Sequence, residues 1–393
     1  MLFVKFPNNC LLLFGFGLVA FSSCYSQKEP KHCFSIVKYQ VGNGPESIKI
    51  ADLNNDRYPD LIVANIESNN LSVLLNDGTG NFSEADDSPF FAGNVPQDIS
   101  VGDFNDDKKL DLALANHEVD YITVLEGDGQ GRFKPKLGSP FSVQSKPHVH
   151  GIANGDFNTD GLLDLVLDSW EDNKMEILFG DREEGFITPG SLFIVGPIMT
   201  IPRFLVKDIN HDEKPDVAIS SQGGKSVNIM LGDGSGDFTP APYSPISVAG
   251  HVYAMAMNDI NKDDLPDLLI PHTSGQDSTA TDGLTILKGS EDGGFRKGTD
   301  TYSFNGRFPV NIGVGDVNAD TWQDIILLNQ KDHSITVLLG SKQGLSEALY
   351  SPVSVGRQPF GMDISDLNQD GRADVVVSST IDNEFLVLLS SCR

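Results

Sequence analysis

Short apolar runs recur along the chain and carry no helical periodicity. One set reads LIVAN, LALAN, LVLDS, VAIS, LLIP, IILLN and VVVSS, and each begins with consecutive apolar residues. A second run follows each of them, as in LSVLLND and YITVLEG, and glycine-rich turns such as NDGTGNF come next. Uninterrupted runs of this length are typical of strands buried on both faces. Together with later segments such as SPFSV, the pattern predicts four short antiparallel strands per unit.

A nine-residue motif precedes each of these units. Aspartate occupies its first, fifth and ninth positions and asparagine its third, as in DLNNDRYPD at residues 52–60. The motif occurs seven times, and consecutive copies begin between 50 and 57 residues apart. A regular period of this size marks a repeat architecture, and four strands per repeat is the unit of a β-propeller blade. The sequence therefore predicts an all-β, seven-bladed β-propeller of four-stranded antiparallel blades.

The motif places oxygen atoms at alternate positions of a tight loop. Three carboxylates, one amide oxygen and the backbone carbonyl of the seventh residue make a donor set that suits Ca²⁺. No histidine or cysteine occupies these positions, which disfavours zinc and copper. Mg²⁺ is the nearest rival, and some loops could be acidic turns that hold no ion. We expect up to seven calcium ions, and the predicted ligands are Asp52, Asn54, Asp56, Tyr58, Asp60, Asp103, Asn105, Asp107, Lys109, Asp111, Asp156, Asn158, Asp160, Leu162, Asp164, Asp208, Asn210, Asp212, Lys214, Asp216, Asp259, Asn261, Asp263, Leu265, Asp267, Asp316, Asn318, Asp320, Trp322, Asp324, Asp366, Asn368, Asp370, Arg372 and Asp374.

Two positions distinguish these loops from better-known calcium loops. An EF-hand needs a bidentate glutamate at the twelfth position, where all seven copies here have an apolar residue. The sixth position favours glycine, which tolerates a left-handed turn, but only Gly161 and Gly371 supply it. The β-branched Thr321 should be the most strained alternative, so we expect its site to bind calcium weakly.

Residues 34–393 resemble the FG-GAP (VCBS-type) repeat propellers, whose best-known relative is the N-terminal head of integrin α subunits. The resemblance rests on the seven complete motifs and covers most of the chain. It implies a calcium-loaded propeller. It says less about activity, because similar propellers serve adhesion, carbohydrate binding and polysaccharide lysis.

The two ends of the predicted propeller complement each other. Residues 34–42 read FSIVKYQVG, like the fourth strand of a blade, and the last repeat ends without a fourth strand of its own. We therefore expect the N-terminal strand to complete the seventh blade, which removes exposed sheet edges. Cys33 and Cys392 would then face each other and could form a disulfide. The alternative is two thiols that are not joined.

The N-terminus has the features of an export signal. An apolar stretch from Leu11 to Phe21 is too short to span a bilayer, and the following AFSSC resembles a bacterial lipobox. Residues 1–23 are therefore predicted to be a lipoprotein-type signal peptide, 24–33 a short linker and 34–393 the propeller. Lipidation of Cys24 would give a cell-surface or outer-membrane lipoprotein, and simple secretion is the alternative.

The formal net charge of −27 argues against nucleic-acid binding and against electrostatic attachment to anionic lipid. Twenty-one of the 55 acidic residues are motif aspartates, three in each of seven loops. Bound calcium would therefore neutralise much of the charge. Contact with a membrane is expected only through the lipid anchor.

Strand order assigns the loops to two faces. The motif loops and glycine-rich turns share one face, and the other carries the second-to-third-strand loops and the links between blades. Histidine, arginine and aromatic residues concentrate on this second face, where we expect a glycan or protein ligand. One alternative is that polar loops collect such residues by chance. Another is a transition-metal or catalytic histidine cluster, although the histidines show no fixed ligand spacing along the sequence. The candidate ligand-face residues are His117, His148, His150, Trp170, Arg203, His251, Tyr253, His272, Arg307 and Arg357.

These features favour an exported, calcium-binding β-propeller that acts as an adhesion or glycan-binding module rather than as an enzyme. The second hypothesis is a polysaccharide lyase or hydrolase that uses the histidine-bearing face. The third is a structural protein of the cell envelope. No catalytic residue is assigned, because the sequence lacks the GxSxG and HExxH motifs of common hydrolases.

Overall fold

Seven small antiparallel sheets form the computed structural model of this chain. It describes residues 33–144, 148–169, 173–195, 202–221, 224–274, 282–291 and 293–391. All regular elements in these ranges are strands, and none of the described residues forms a helix long and apolar enough to cross a membrane. The predicted signal peptide, Cys24, Trp170 and Cys392 lie outside the described residues.

Each of these seven sheets is one blade, and in blades 1 to 6 the order of the strands follows the chain. Blade 1 contains Pro45–Ala51, Asp60–Asn65, Asn70–Asn76, Phe82–Glu84 and Phe90–Phe91. Blade 2 contains Pro96–Gly102, Asp111–Asn116, Tyr121–Gly127, Phe133–Pro135 and Phe141–Ser142. Blade 3 contains Ile152–Gly155, Asp164–Ser169, Lys174–Leu178 and Ser191–Ile194, beside a ribbon of Gly180–Asp181 and Gly185–Phe186.

The remaining blades repeat this arrangement. Blade 4 contains Pro202–Lys207, Asp216–Ser221, Ser226–Gly232, Phe238–Pro240 and Ile246–Ser247. Blade 5 contains His251–Val252, Ala256–Asn258, Asp267–Thr273, Gly283–Gly289 and Phe295–Tyr302. Blade 6 contains Pro309–Gly315, Asp324–Asn329, Ser334–Leu339, Ser346–Glu347 and Val353–Ser354. Blade 7 contains Pro359–Ser365, Asp374–Ser379, Glu384–Ser390 and the N-terminal strand Phe34–Gln40.

The N-terminal strand closes the ring, as the sequence predicted. It runs antiparallel to the last strand, from Phe34 opposite Ser390 to Gln40 opposite Glu384. The Cys33 carbonyl continues the pairing by accepting a hydrogen bond from the Ser391 amide at 2.8 Å. Because Cys392 is outside the described residues, the disulfide stays a prediction.

The core lies between blades and not within them. The second strands of blades 1, 2, 6 and 7 are buried along their whole length, which confirms that their apolar runs are covered on both faces. Seven apolar clusters fill the gaps between neighbouring blades. One of them contains Leu61 and Val63 of blade 1 together with Val376 and Phe385 of blade 7, so the first and last blades share a core like any other pair.

The outer strand is interrupted in blades 1, 2, 4 and 6, which the sequence analysis did not anticipate. A serine followed by a cis proline separates its two short pieces, as at Ser88–Pro89 of blade 1. The Ser88 hydroxyl accepts a hydrogen bond from the Val73 amide at 3.1 Å, so a side chain replaces a missing ladder bond. Ser139, Ser244 and Ser351 accept the same bond in the other three blades.

The motif loops and the glycine-rich turns lie on one face, and they connect neighbouring blades. The Gly131 amide of blade 2 donates to the Leu53 carbonyl of blade 1 at 3.2 Å, and the Gly236 amide of blade 4 donates to the Phe157 carbonyl of blade 3 at 3.0 Å. Each glycine-rich turn therefore rests on the motif loop of the preceding blade in these two pairs. The turns hold the loops in place.

Candidate functional site

The motif loops are folded by their own aspartates. In the first loop the Asp52 carboxylate accepts hydrogen bonds from the amides of Asp56 at 3.1 Å and Arg57 at 2.9 Å. Asn54 Oδ1 accepts from the Asp56 amide, and Asp56 Oδ1 accepts from the Tyr58 amide at 2.8 Å. The same side chains that are predicted to bind calcium thus also shape the turn.

Two residues of every loop have the left-handed backbone conformation. The predicted one is the sixth, where Arg57 has φ 74° and Thr321 has φ 73°. The fourth residue is left-handed as well, as at Asn55 with φ 61°. The sequence does not reveal this conformation, because no loop has glycine at the fourth position: the fourth residues are Asn55, Asp106, Thr159, His211, Lys262, Ala319 and Gln369.

The ninth aspartate of each motif has a structural role in addition to its predicted one. Asp60 is fully buried, and its two oxygens accept hydrogen bonds from the Leu53 amide at 2.9 Å and the Asn76 amide at 2.8 Å. It therefore ties the start of the loop to the end of the third strand. The equivalent pairs of bonds are made by Asp111, Asp164, Asp216, Asp267, Asp324 and Asp374.

Burial makes the ninth aspartates weaker acids than usual, because it raises their pKa values. It raises the pKa of Asp60 to about 6, although the two amide bonds act in the opposite direction. Burial also raises the pKa of Asp267. The same cause raises the pKa to about 6 in Asp111, Asp164, Asp216, Asp324 and Asp374.

The loop residues fit a hard cation by their chemistry. Asp52, Asn54 and Asp56 offer side-chain oxygens near the surface, and a carboxylate has about four acceptor positions, of which Asp60 uses two for amides. Among the described residues, the motif carboxylates do not form a group of three acidic side chains already close enough to share one metal ion. In the first loop the side chains of Asp52, Asn54 and Asp56 accept hydrogen bonds from backbone amides of the loop itself.

All seven blades contribute to a cavity of about 430 Å³ on the propeller axis. Its lining comes from the innermost part of each blade and extends from residues near the strand starts, such as Glu46 and Arg203, to residues just before the motif loops, such as Ile50 and Val206. Glu46, Asp98 and Arg203 lie near the starts of their strands, at the end of the cavity away from the motif loops, which is the face where a ligand was expected. One lining residue from each blade is Glu46, Asp98, Ile152, Arg203, Met255, Asn311 and Phe360.

The mouth of this cavity combines both charge signs with an aromatic ring. Arg203 lies 3.3 Å from the carboxylate of Asp98 and stands over the ring of Phe360, 5.6 Å from its centroid. Lys49 approaches Asp98 at 4.0 Å. Burial raises the pKa of Glu46, with Arg203 acting against it.

Three of the predicted ligand-face histidines come together beside Arg203. The rings of His117, His148 and His150 have centroids 4.6 to 5.6 Å apart. Burial, followed by the charges of the other two histidines, lowers the pKa of His117. Arg203 donates a hydrogen bond to the His150 carbonyl at 3.2 Å, which links this cluster to the cavity mouth.

The other predicted ligand-face residues are not part of this group. His272 is fully buried within a strand. Arg307 and Arg357 are exposed and form ion pairs with Asp332 and Asp382 of the neighbouring hairpins. His251 begins the first strand of blade 5, and Tyr253 contacts the ring of Phe308 at 5.2 Å.

A family model describes the repeated units. The model of the FG-GAP-like repeat matches residues 52–114, 103–167, 208–270 and 316–377, which together include all seven motifs and more than half of the chain. The chain belongs to the FG-GAP-like repeat family. A search of curated proteins gave no significant match to this FG-GAP-like protein.

Solved structures share the fold at low sequence identity. BBS1N, solved in complex with ARL6DN, is 10% identical with a TM-score of 0.59, and the alignment covers 91% of this chain and 97% of that chain. Hydrazine synthase of Kuenenia stuttgartiensis is 10% identical with a TM-score of 0.59, over 89% of this chain and 96% of that chain.

An Agrocybe aegerita lectin described as specific for non-reducing terminal N-acetylglucosamine has the same fold. It is 14% identical with a TM-score of 0.53, over 80% of this chain and 88% of that chain. At these identities the likeness concerns the fold of the FG-GAP-like propeller alone.

Proposed function

We propose that this FG-GAP-like propeller is an exported binding module that takes a glycan or protein ligand on the face opposite the motif loops. The observation that supports it best is the cavity on the propeller axis, with Arg203, Asp98 and Phe360 at its mouth. Carboxylates and a guanidinium bond to hydroxyl and amide groups, and an aromatic ring packs on the apolar face of a sugar or side chain. Concave sites with a few convergent polar groups are where propellers and other folds hold ligands.

The similar structures fit a binding role of this kind. One neighbour was solved with a protein partner, and another is a lectin named for a terminal N-acetylglucosamine. Both kinds of ligand present hydrogen-bonding groups that the charged mouth of the cavity could recognise. We therefore keep glycans and proteins together as the ligand class and separate them by experiment.

A glycan array and a capture experiment with cell-surface extracts would identify a ligand, and titration calorimetry would give its affinity. Arg203→Ala should weaken binding at least about tenfold, as expected when a central charged contact is lost. Arg132→Ala is the matched control, because Arg132 also pairs with a carboxylate but lies in a glycine-rich turn on the other face. Equal loss in both variants, or none in either, would contradict the proposed face.

Calcium in the motif loops is part of the same proposal. The loops supply oxygen donors only, and all seven copies have left-handed residues at the same two positions. Metal analysis of protein dialysed against Ca²⁺ and Mg²⁺ together should find calcium at up to seven ions per chain. Replacement of Asp103 by alanine should remove one of them, and a calcium content near zero in the native protein would refute the assignment.

A lyase or hydrolase is the second candidate, favoured by the buried pair of His150 and Asp168, whose Nδ1 and Oδ2 atoms are 3.0 Å apart. A carboxylate that orients an imidazole is a common arrangement in acid–base catalysis. An assay for new unsaturated or reducing sugar ends tests it. Turnover that disappears in His150→Ala or His251→Ala would replace the binding proposal with an enzyme.

Export and anchoring complete the proposal. We infer that residues 1–23 are removed, that Cys24 carries lipid or is simply the new N-terminus, and that Cys33 and Cys392 are joined. Mass spectrometry of protein from the native host would detect the lipid. The same measurement before and after reduction would detect the disulfide. A protein that binds no ligand would instead favour the structural cell-envelope role.

A further inference from the structure

The three clustered histidines come from two separate places in the chain. His117 follows the second strand of blade 2, whereas His148 and His150 precede the first strand of blade 3. One nitrogen of each imidazole lies within 4.8 Å of a nitrogen of the other two. Among the described residues, this is the group of histidine, cysteine and carboxylate side chains that could share one metal ion.

A buried carboxylate orients one of these rings. Asp168 is fully buried, and its Oδ2 atom lies 3.0 Å from Nδ1 of His150. Its Oδ1 atom accepts hydrogen bonds from the amides of His150 at 2.7 Å and Gly151 at 2.8 Å, so the carboxylate itself is fixed. With a proton on Nδ1 shared with Asp168, Nε2 of His150 carries the lone pair. Metal-binding histidines almost always have such a partner on their other nitrogen.

The repeat itself does not require these four residues. At the junction between blades 1 and 2, the positions equivalent to His117, His148, His150 and Asp168 hold Ile66, Val95, Gln97 and Ala115. At the junction between blades 6 and 7 the equivalent residues are Gln330, Gln358, Phe360 and Ser378. Blades therefore pack against each other without histidine at these positions. Of these three junctions, only the one between blades 2 and 3 has the three histidines and the buried aspartate, and there the three histidines lie close together.

We propose that His117, His148 and His150 bind one divalent transition-metal ion of the zinc class, with Asp168 as the residue that positions His150. Imidazole nitrogens suit zinc, copper and nickel and are poor ligands for calcium, so this site differs in chemistry from the motif loops. Nitrogens bonded to one tetrahedral zinc ion are about 3.3 Å apart. The three imidazole nitrogens now lie within 4.8 Å of one another, so they move closer together when zinc binds. Three protein ligands leave a position for water or for an oxygen of a ligand.

Zinc titration of the full chain tests the site. The protein is first saturated with Ca²⁺, so that the motif loops are filled, and Zn²⁺ is then added in a calorimeter. We expect one strong zinc site per chain. The site should weaken by at least about tenfold in His117→Ala and by about 10- to 100-fold in Asp168→Asn, the usual range when a positioning partner is lost. His333→Ala is the matched control, because His333 is exposed on the same face but lies in blade 6.

Cobalt provides a second measurement that does not depend on affinity. Co²⁺ bound to three imidazoles at a four-coordinate site gives intense visible absorption, which should be absent in His117→Gln and present in His333→Ala. Equal thermal melting of the histidine variants in chelator shows that they fold. Zinc affinity that is the same in wild type, His117→Ala and His150→Ala would overturn the proposal, as would a Co²⁺ spectrum that none of the three histidines affects.

Discussion

At the scale of single residues, Asp60 and its counterparts show how one position can serve two purposes. The ninth aspartate is buried and holds two backbone amides, yet it also ends a run of oxygen donors that suits calcium. Its position in the motif revealed the possible ligand. Its role in joining the loop to the third strand could not be read from the sequence, because that depends on an amide sixteen residues further on.

These aspartates predict the pH dependence of the calcium-free protein. Their folded-state pKa is raised, to about 6 in six of the seven. A carboxyl group with a raised pKa binds its proton more tightly when folded, so the fold gains stability as pH falls through about 6 and loses it as pH rises. Calcium-free protein should therefore melt at a higher temperature at pH 5.5 than at pH 7.5.

Differential scanning calorimetry on protein passed over a chelating resin would measure this trend. Excess calcium should reverse it, because protons then compete with bound ions. A melting temperature of the calcium-free protein that falls steadily between pH 7.5 and 5.5 would show that the buried aspartates do not control its stability.

At the scale of the element, the motif loop depends on two left-handed residues, and only some loops have glycine at one of them. Gly161 has φ 86°, and a Cβ atom added there would meet no atom within 4 Å. Thr321 occupies the same position in blade 6 with φ 73°. Its hydroxyl accepts a hydrogen bond from Lys262 of the neighbouring loop at 2.9 Å. That nearby ammonium group is a further reason to expect weak calcium binding in this loop.

Gly161→Ala isolates the backbone contribution, since the added methyl group has room. We expect a loss of about 1–2 kcal/mol in the free energy of unfolding, the usual cost of the left-handed conformation for a residue with a Cβ atom. Gly161→Asn is the control and should lose less, because asparagine tolerates this conformation. Urea unfolding in excess calcium measures both. An alanine variant as stable as wild type would mean that the loop relaxes to another conformation.

The sequence predicted the elements more completely than their details. Apolar runs such as LIVAN are typical of strands buried on both faces, so the second strands followed from this pattern, and the blade count followed from the seven copies of the motif. The interrupted outer strand did not follow, because the Ser88 hydroxyl that replaces a ladder bond looks like any loop serine. The left-handed conformation of the fourth residue of each loop, such as Asn55, did not follow either, because the residue type at this position differs from loop to loop.

At the scale of the whole molecule, closure of the ring brings distant residues into contact. Tyr39 of the N-terminal strand stacks on Phe385 of the last strand at 5.0 Å and meets the ring of Phe82 in blade 1 at 5.8 Å. Its hydroxyl accepts a hydrogen bond from the Phe82 amide at 3.1 Å. One side chain thus joins the first strand, the last strand and the first blade.

Tyr39→Ala should destabilise the ring by about 2–4 kcal/mol, somewhat less than a fully buried aromatic residue because Tyr39 is half-buried. Tyr39→Phe is the control and should lose only the hydrogen bond, about 0.5–1.5 kcal/mol. Urea unfolding followed by fluorescence measures both variants. Equal stability of wild type and Tyr39→Ala would mean that the N-terminal strand does not hold the propeller closed.

The ligand face was the part that sequence analysis could describe least well. Strand order placed His117, His148 and His150 on one face, but it could not show that they meet or that Asp168 supports them. It also placed His272 there, although the strand continues through that residue and buries it. Loop conformations decide which side chains converge, and one sequence without its fold does not determine them.

We expect calcium in the motif loops to stabilise the closed propeller, and thermal unfolding of the full chain with and without calcium measures this effect. Extracellular calcium sites have dissociation constants of about 10⁻⁴ to 10⁻³ M, so at about 1 mM Ca²⁺ each filled site adds roughly 0.4–1.4 kcal/mol. Seven sites would add about 3–10 kcal/mol, comparable with the whole stability of a typical domain. We predict a large rise in melting temperature when calcium replaces chelator. The same melting temperature in both conditions would contradict this account.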